Sequence, residues 1–435
     1  MTPAPALRYF GALAGLDAPT RSALLDRTTS IDRDVRERTA AILADVRARG
    51  DRALRELSLR FDHVDLERFE VPRAQWKAAL DTLSPDLRRG MERSVANIAS
   101  VHRAFLPSAT ETSPEPGIVV GRRPDPLARV GVYAPGGRAA YPSSVLMGVV
   151  PARVAGVGEI TVASPPGPSG LPSVVVLAAA ELADADRVFT LGGAGAVAAL
   201  AFGTETVPRV DRIVGPGNAF VAEAKLQVSG LVSIDSPAGP SELLVIADAA
   251  ASAETVAREL LAQAEHDPRA CVVAVVERAS LAAQVRAALA RLLPSCERRE
   301  IVEAALAGQG AVLWVDTVQE AVEWSNAYAP EHLLVCTADP AAWLPALRNA
   351  GTVFLGEWAS VSFGDYMTGA NHVLPTGGLA RCYSGLSTLD FFRWTTYQRI
   401  EAGAASRLAS DVDAFARAEG LPGHAMAARA WAETR

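Results

Sequence analysis

Histidine is scarce in this chain, six in 435 residues, and four of the six stand near other groups able to bind a metal or move a proton. His266 follows Gln263 by three residues in LLAQAEHD, so both face the same way if the segment is helical. His332 follows Glu331 directly in APEHLLVCT, which places an acid and an imidazole at the mouth of an apolar strand. His372 shares the run GDYMTGANHVLPTGG with Asp365 and Asn371, and His424 closes EGLPGH, which opens on Glu419. Nitrogen and oxygen donors without thiolate suit zinc or another divalent ion. Adjacent Glu and His at a strand end suit general acid/base work, because ligand sites of open α/β sheets gather there and an imidazole can move protons in successive steps. Each group also has a plainer reading: a solvated helix face for Gln263 and His266, a capped strand start for Glu331 and His332, and a surface turn for the glycine-rich run. The glycines and Pro375 of that run predict that Asp365, Asn371 and His372 are carried by an irregular loop rather than a regular helix.

Glycine-rich turns supply a second kind of candidate. In RVFTLGGAGAVAALAFG, residues Gly193, Gly195 and Ala198 fit the G-x-G-x-x-A dinucleotide pattern, although the acidic residue expected about 20 positions later is unconvincing. The turn Gly215, Pro216, Gly217, Asn218 follows the short apolar run RIV and could bring backbone amides to a phosphate or ribose. Ser241, in AGPSE, either hydrogen-bonds a substrate or merely starts the strand that follows.

The elements that must position these groups follow from periodicity. Residues 22–102 repeat Arg, Leu, Ala and Asp at helical spacing, with Gly50 where a C-terminal cap belongs. From ARVGVYAP onward, short apolar runs alternate with alanine-rich helical ones. A second alternating block opens at ELLVIAD, which reads as two parallel sheets with crossover helices. The expected division is a helical N-terminal arm over 1–120, a Rossmann-like cofactor domain over 121–238, a Rossmann-like catalytic domain over 239–380, and a C-terminal arm over 381–435 that returns to helix. Apolar residues at 49% and charged residues at 21% describe a globular protein, and a formal charge of −7 argues against general nucleic-acid binding. Four cysteines without CxxC spacing fit reduced thiols. The N-terminus lacks a basic start and a sustained apolar core, and no run approaches the ~18 apolar residues of a membrane span, so a cytoplasmic protein is expected.

Taken in order, GVYAPGGRAAYPSSVLM, IVGPGNAFVAEAK, IDSPAGPSELLVIAD, LLAQAEHD, NAYAPEHL, GDYMTGANHVLPTGG and EGLPGH resemble the histidinol dehydrogenase family. The resemblance implies two incomplete Rossmann-like domains of aldehyde dehydrogenase-like architecture in an intertwined homodimer. It implies one zinc per subunit on Gln263, His266, Asp365 and, reaching in from the partner subunit, His424. It makes Glu331 and His332 the acid/base residues and adds Ser241, His372 and Glu419 as substrate contacts beside the ligand residues. Tyr133 and Asn218 match positions that contact NAD. The implied reaction is oxidation of L-histidinol to L-histidine through L-histidinal with two NAD; the nearest rival is an NAD-dependent dehydrogenase acting on another small polar alcohol. One departure stands out: Gly195 occupies a position where the family usually has glutamine, and one lost hydrogen bond would weaken NAD binding by about 1 kcal/mol.

Overall fold

The computed structural model describes residues 6–27, 32–136 and 140–432. Among them run fourteen strands: β1 (Tyr9–Ala12), β2 (Thr110–Thr112), β3 (Ile118–Pro126), β4 (Arg129–Tyr133), β5 (Glu159–Ser164), β6 (Arg187–Thr190), β7 (Arg212–Val214), β8 (Ser233–Ile234), β9 (Glu242–Ala247), β10 (Cys271–Glu277), β11 (Gly310–Val315), β12 (His332–Cys336), β13 (Thr352–Leu355) and β14 (Phe392–Ile400). They form a five-stranded sheet in the order β6-β5-β4-β7-β8, a six-stranded sheet in the order β1-β11-β10-β9-β12-β13, and a three-stranded sheet in the order β14-β3-β2. Every pairing in the two larger sheets is parallel. Parallel strands are buried on both faces, which is why ELLVIA and HLLVC read as continuous apolar runs and lie wholly inside.

Two compact units divide the chain: residues 1–105 with 128–391, and residues 106–127 with 392–435. In the first unit, the alanine-rich helix Gly193–Phe202 packs on the five-stranded sheet, with apolar side chains of the helices Arg33–Arg49 and Asp51–Phe61 in the same core. Asp32 caps the Arg33–Arg49 helix by accepting from the amides of Asp34 and Val35, and Gly50 ends it at φ 52°. The N-terminal region also contributes a strand that its sequence did not announce: β1 lies parallel to β11, Tyr9 opposite Ala311.

In the second unit, β14 pairs antiparallel with β3 over its whole nine-residue length, followed by helices Ala402–Ala418 and Pro422–Arg429. The C-terminal stretch therefore opens on a strand before turning helical, contrary to the expectation of helix. FRWTTYQRI is aromatic and β-branched enough to form one, but its charged residues hide the alternation. Likewise Pro124 and Pro126 stand within β3, where β14 pairs on one side and β2, which reaches only Val120 to Arg122, does not need their missing amides. No helix among the described residues is long and apolar enough to cross a membrane.

Candidate functional site

The helix Val318–Tyr328 stops at Ala329, whose left-handed φ of 53° turns the chain, and Pro330 prevents the helix from continuing. Glu331 and His332 then enter β12, both buried. Their orientation comes from the neighbouring strand β9. The Glu242 amide donates to Glu331 Oε2 at 2.7 Å, and His332 Nδ1 lies 3.0 Å from the Glu242 carbonyl oxygen. Since that oxygen can only accept, Nδ1 carries a proton, and in the neutral imidazole Nε2 holds the lone pair. Glu331 Oε2 lies 3.3 Å from Nδ1, and Asp365 Oδ1 lies 3.6 Å from Nε2, beyond hydrogen-bond reach. His332 Nε2 is thus a buried nitrogen with no hydrogen-bond partner among the described residues. Burial opposes an imidazolium here, but Glu331 and Asp365 outweigh it and raise the His332 pKa to about 10. Burial likewise pushes the Glu331 carboxyl up, against the pull of His332.

Asp365 is not on an irregular loop as its sequence implied. It sits in the short helix Val361–Tyr366, which tolerates Gly364 because that glycine lies flat against the Phe354 ring, where a Cβ would collide. Asn371 and His372 do lie on irregular chain beyond it. Gly369, at φ 87°, makes the turn possible against the Asn97 carbonyl. Asn97 Nδ2 holds the Met367 carbonyl at 2.7 Å, and Asn371 Nδ2 holds the Met147 carbonyl at 2.7 Å, so the run is pinned to helices Pro85–Ala104 and Pro142–Ala155. His372 Nδ1 turns back to the Asp365 carbonyl at 3.0 Å. Burial opposes the Asp365 carboxylate, but His332, His372 and His266 outweigh it and keep the carboxyl below its ordinary range. The His372 imidazole is pushed the other way, down, chiefly by burial.

Gln263, buried, lies in the last turn of helix Ala253–Ala264, and His266 falls just beyond its end, with its amide on the Gln263 carbonyl at 3.3 Å. The helical pairing expected for the two is therefore a helix end followed by a turn. One turn earlier, Glu259 accepts the Val361 amide at 3.1 Å, which joins this helix to the one bearing Asp365. Gln263, His266 and Asp365 thus belong to two joined elements, while Ser241, half-buried, immediately precedes β9. Glu419 and His424 belong to the second unit and are exposed. Among the described residues, no group of three or more His, Cys, Asp or Glu side chains is gathered to hold a metal. In the first unit only two of the expected ligands are of those types, with the Gln263 amide as a third donor.

The other candidate groups lie on the five-stranded sheet. Tyr133 ends β4, and its hydroxyl accepts the amide of Gly193, the first residue of a helix, at 3.1 Å; burial raises its pKa to about 12. Asn218 caps helix Ala219–Val228, its Oδ1 accepting from Phe220 and Val221 at 3.0 and 3.2 Å, which leaves Nδ2 for another partner. Gly195 is buried, and a Cβ there would stand 3.1 Å from Leu57 Cδ1 and 3.6 Å from Leu54 Cδ2, so leucines fill the space a longer side chain would need. The segment GGRAA is described only in part, residues 137–139 lying outside the described residues.

Four charged groups went unremarked in the sequence. Lys225 and Asp235 form a buried ion pair that grips Gly215 by both ends: Lys225 Nζ on its carbonyl at 3.0 Å and Asp235 on its amide at 2.7 Å. Gly215 itself, at φ 112°, packs so close to the Tyr133 carbonyl that no side chain fits. Arg27 and Glu242 form the second buried pair. For Lys225, Asp235 and Glu242 the local signal is a charge beside an apolar run; Arg27, between Asp26 and Thr28, has none.

The family model described as histidinol dehydrogenase matches residues 25–431. The chain is 48% identical over 409 residues to a histidinol dehydrogenase of Chromobacterium violaceum, covering 93% of this chain and 94% of that one. It is 44% identical over 424 residues to that of Methanosarcina barkeri, covering 97% and 98%. A crystal structure of histidinol dehydrogenase from Elizabethkingia anophelis superimposes with a TM-score of 0.94 at 31% identity, over 99% of each chain. With its two parallel sheets and its buried Glu331–His332 pair in place, the chain belongs to the histidinol dehydrogenase family.

Proposed function

We propose that this chain oxidises L-histidinol to L-histidinal and then to L-histidine, the last two steps of histidine biosynthesis, with two NAD and one zinc ion per subunit of a cytoplasmic homodimer. The observation that carries the reading is the Glu331–His332 pair, buried at the mouth of β12 and fixed by both main-chain groups of Glu242.

Gln263, His266 and Asp365 would hold the metal, completed by His424 from the partner subunit. The fit rests on the donor set: an amide oxygen, an imidazole and a carboxylate kept ionised by its histidine neighbours suit zinc. When bound, zinc would anchor the substrate's imidazole and amine, and NAD would accept the hydride released in each step. In the metal-loaded enzyme Asp365 would be engaged by zinc and would no longer help hold a proton on His332. His332 therefore acts through Nε2, without a partner among the described residues, by taking the proton of the substrate hydroxyl. Glu331, 3.3 Å from Nδ1, steadies the resulting imidazolium. After His332 returns that proton to solvent, the same two residues deprotonate the water that adds to the aldehyde and pass its proton to the aldehyde oxygen. His332, neutral again, then takes the hydroxyl proton of the hydrate as the second hydride leaves. Ser241, His372 and Glu419 hold the substrate, the last through a carboxylate suited to an ammonium group. Tyr133 and Asn218 contact NAD, without help from Gly195.

Counting NADH formed per L-histidinol consumed tests the reading. Two equivalents are expected, with turnover lost after chelation and restored by zinc. One equivalent would mean that oxidation stops at the aldehyde, and none, with another small polar alcohol oxidised instead, would transfer the site to that substrate.

A further inference from the structure

One buried ion pair has no part in the chemistry above, yet it touches the segments that carry Glu331 and His332 and the run that follows His372. Arg27 grips Glu242 with two prongs, Nε to Oε1 at 2.9 Å and Nη2 to Oε2 at 3.1 Å. The same guanidinium donates to the carbonyls of Leu24, Leu25 and Tyr328 at 3.3, 3.2 and 2.8 Å and lies 3.4 Å above the Tyr328 ring. Glu242 Oε1 also accepts the Gly377 amide at 2.8 Å. The Glu242 side chain therefore joins the N-terminal segment, the end of the helix that leads into Glu331, and the run that follows His372. Its main chain meanwhile holds Glu331 by the amide and His332 by the carbonyl.

A buried pair of this kind is seldom justified by stability. Desolvation offsets most of its attraction, and apolar residues of similar volume often serve as well. Glu242 is also the first residue of β9, where a strand is free to fray unless something ties it down. We propose that Arg27 and Glu242 are positioning residues. Their ion pair fixes the first peptide of β9 so that its amide and carbonyl set the Glu331 carboxylate and keep the His332 proton on Nδ1, with Nε2 free as the base.

This rests on Glu331 and His332 being the acid/base pair, so His332→Asn is measured alongside. Two further variants are made in the full-length enzyme: the apolar double variant R27M/E242L, and R27K, which keeps the charge but not the two-pronged grip. The expected result for both is a kcat lowered tenfold or more, with KM for NAD within twofold of the parent and cooperative thermal unfolding retained. A general loosening of the fold would move KM for NAD as well. A kcat within twofold of the parent in either folded variant overturns the proposal, as does failure of both to fold, which would make the pair purely structural. If only the double variant fails to fold, R27K decides. Should His332→Asn turn over normally, the acid/base reading is at fault. Should it be inactive while folded R27K is normal, only the positioning role is lost.

Discussion

The two parallel sheets of the first unit are built alike and use their buried charges differently. In the five-stranded sheet, Lys225 and Asp235 spend their hydrogen bonds on the main chain of Gly215, holding a turn. The helix Gly193–Phe202 above that sheet is almost wholly buried and alanine-rich, so it brings backbone close without polar side chains. At the six-stranded sheet, Glu331, His332 and Asp365 lie within 3.6 Å of their neighbours in a chain of titratable groups, one of whose nitrogens has no partner among the described residues. A sheet that presents backbone suits a cofactor whose own chemistry is complete. A sheet that presents side chains with opposed pKa shifts suits proton transfer.

The largest effect should fall on the second sheet. Glu331→Gln keeps an oxygen for the Glu242 amide but loses the charge beside His332, so kcat should fall by about 100- to 10,000-fold with NAD binding unchanged, as read by steady-state kinetics and cofactor titration. On the first sheet, Lys225→Met should leave Asp235 buried without its partner and cost about 3–5 kcal/mol of stability, measured by denaturant unfolding. A loss of turnover without a loss of stability there would erase the distinction between the two sheets.

The helix that pins the His372 run offers an acid test. His102 on that helix is buried, accepts the Thr388 amide at Nδ1 at 3.2 Å, and has its pKa lowered by burial to about 4. The unfolded chain takes up a proton near pH 6.5 and the folded chain does not until about pH 4. This contribution is therefore complete above pH 6.5 and is lost as pH falls towards 4, by about 3 kcal/mol. His102→Gln, which retains an acceptor, should flatten that part of the stability profile. The smallest effect belongs to Gly195. Restoring glutamine while making room with Leu57→Ala should lower KM for NAD by about 2- to 10-fold and leave kcat alone.

Local pattern made much of this legible. Continuous apolar runs announced β9 and β12, Gly50 announced a helix end, and the adjacency of Glu331 and His332 announced their shared place. What local pattern missed depends on long-range pairing. Arg27 and Glu242 meet across 215 residues, and nothing near either residue anticipates the other. β1 forms because β11 offers it an edge, and helix Val361–Tyr366 survives its glycine because Phe354 lies beneath it. In β14, tertiary pairing overrides a charged composition. The grouping of Asp365 with His266, His332 and His372 also required the fold, since their sequence separation carries no spacing to read.

The most direct measurement is the rate of NADH formation in a single turnover by His332→Asn at saturating L-histidinol and NAD, paired with the NAD dissociation constant of the same protein. The predicted result is a rate at least about 100-fold below the parent's with NAD affinity within twofold, the signature of proton chemistry confined to the six-stranded sheet. A rate within twofold of the parent, or a loss explained by weakened NAD binding, would contradict it.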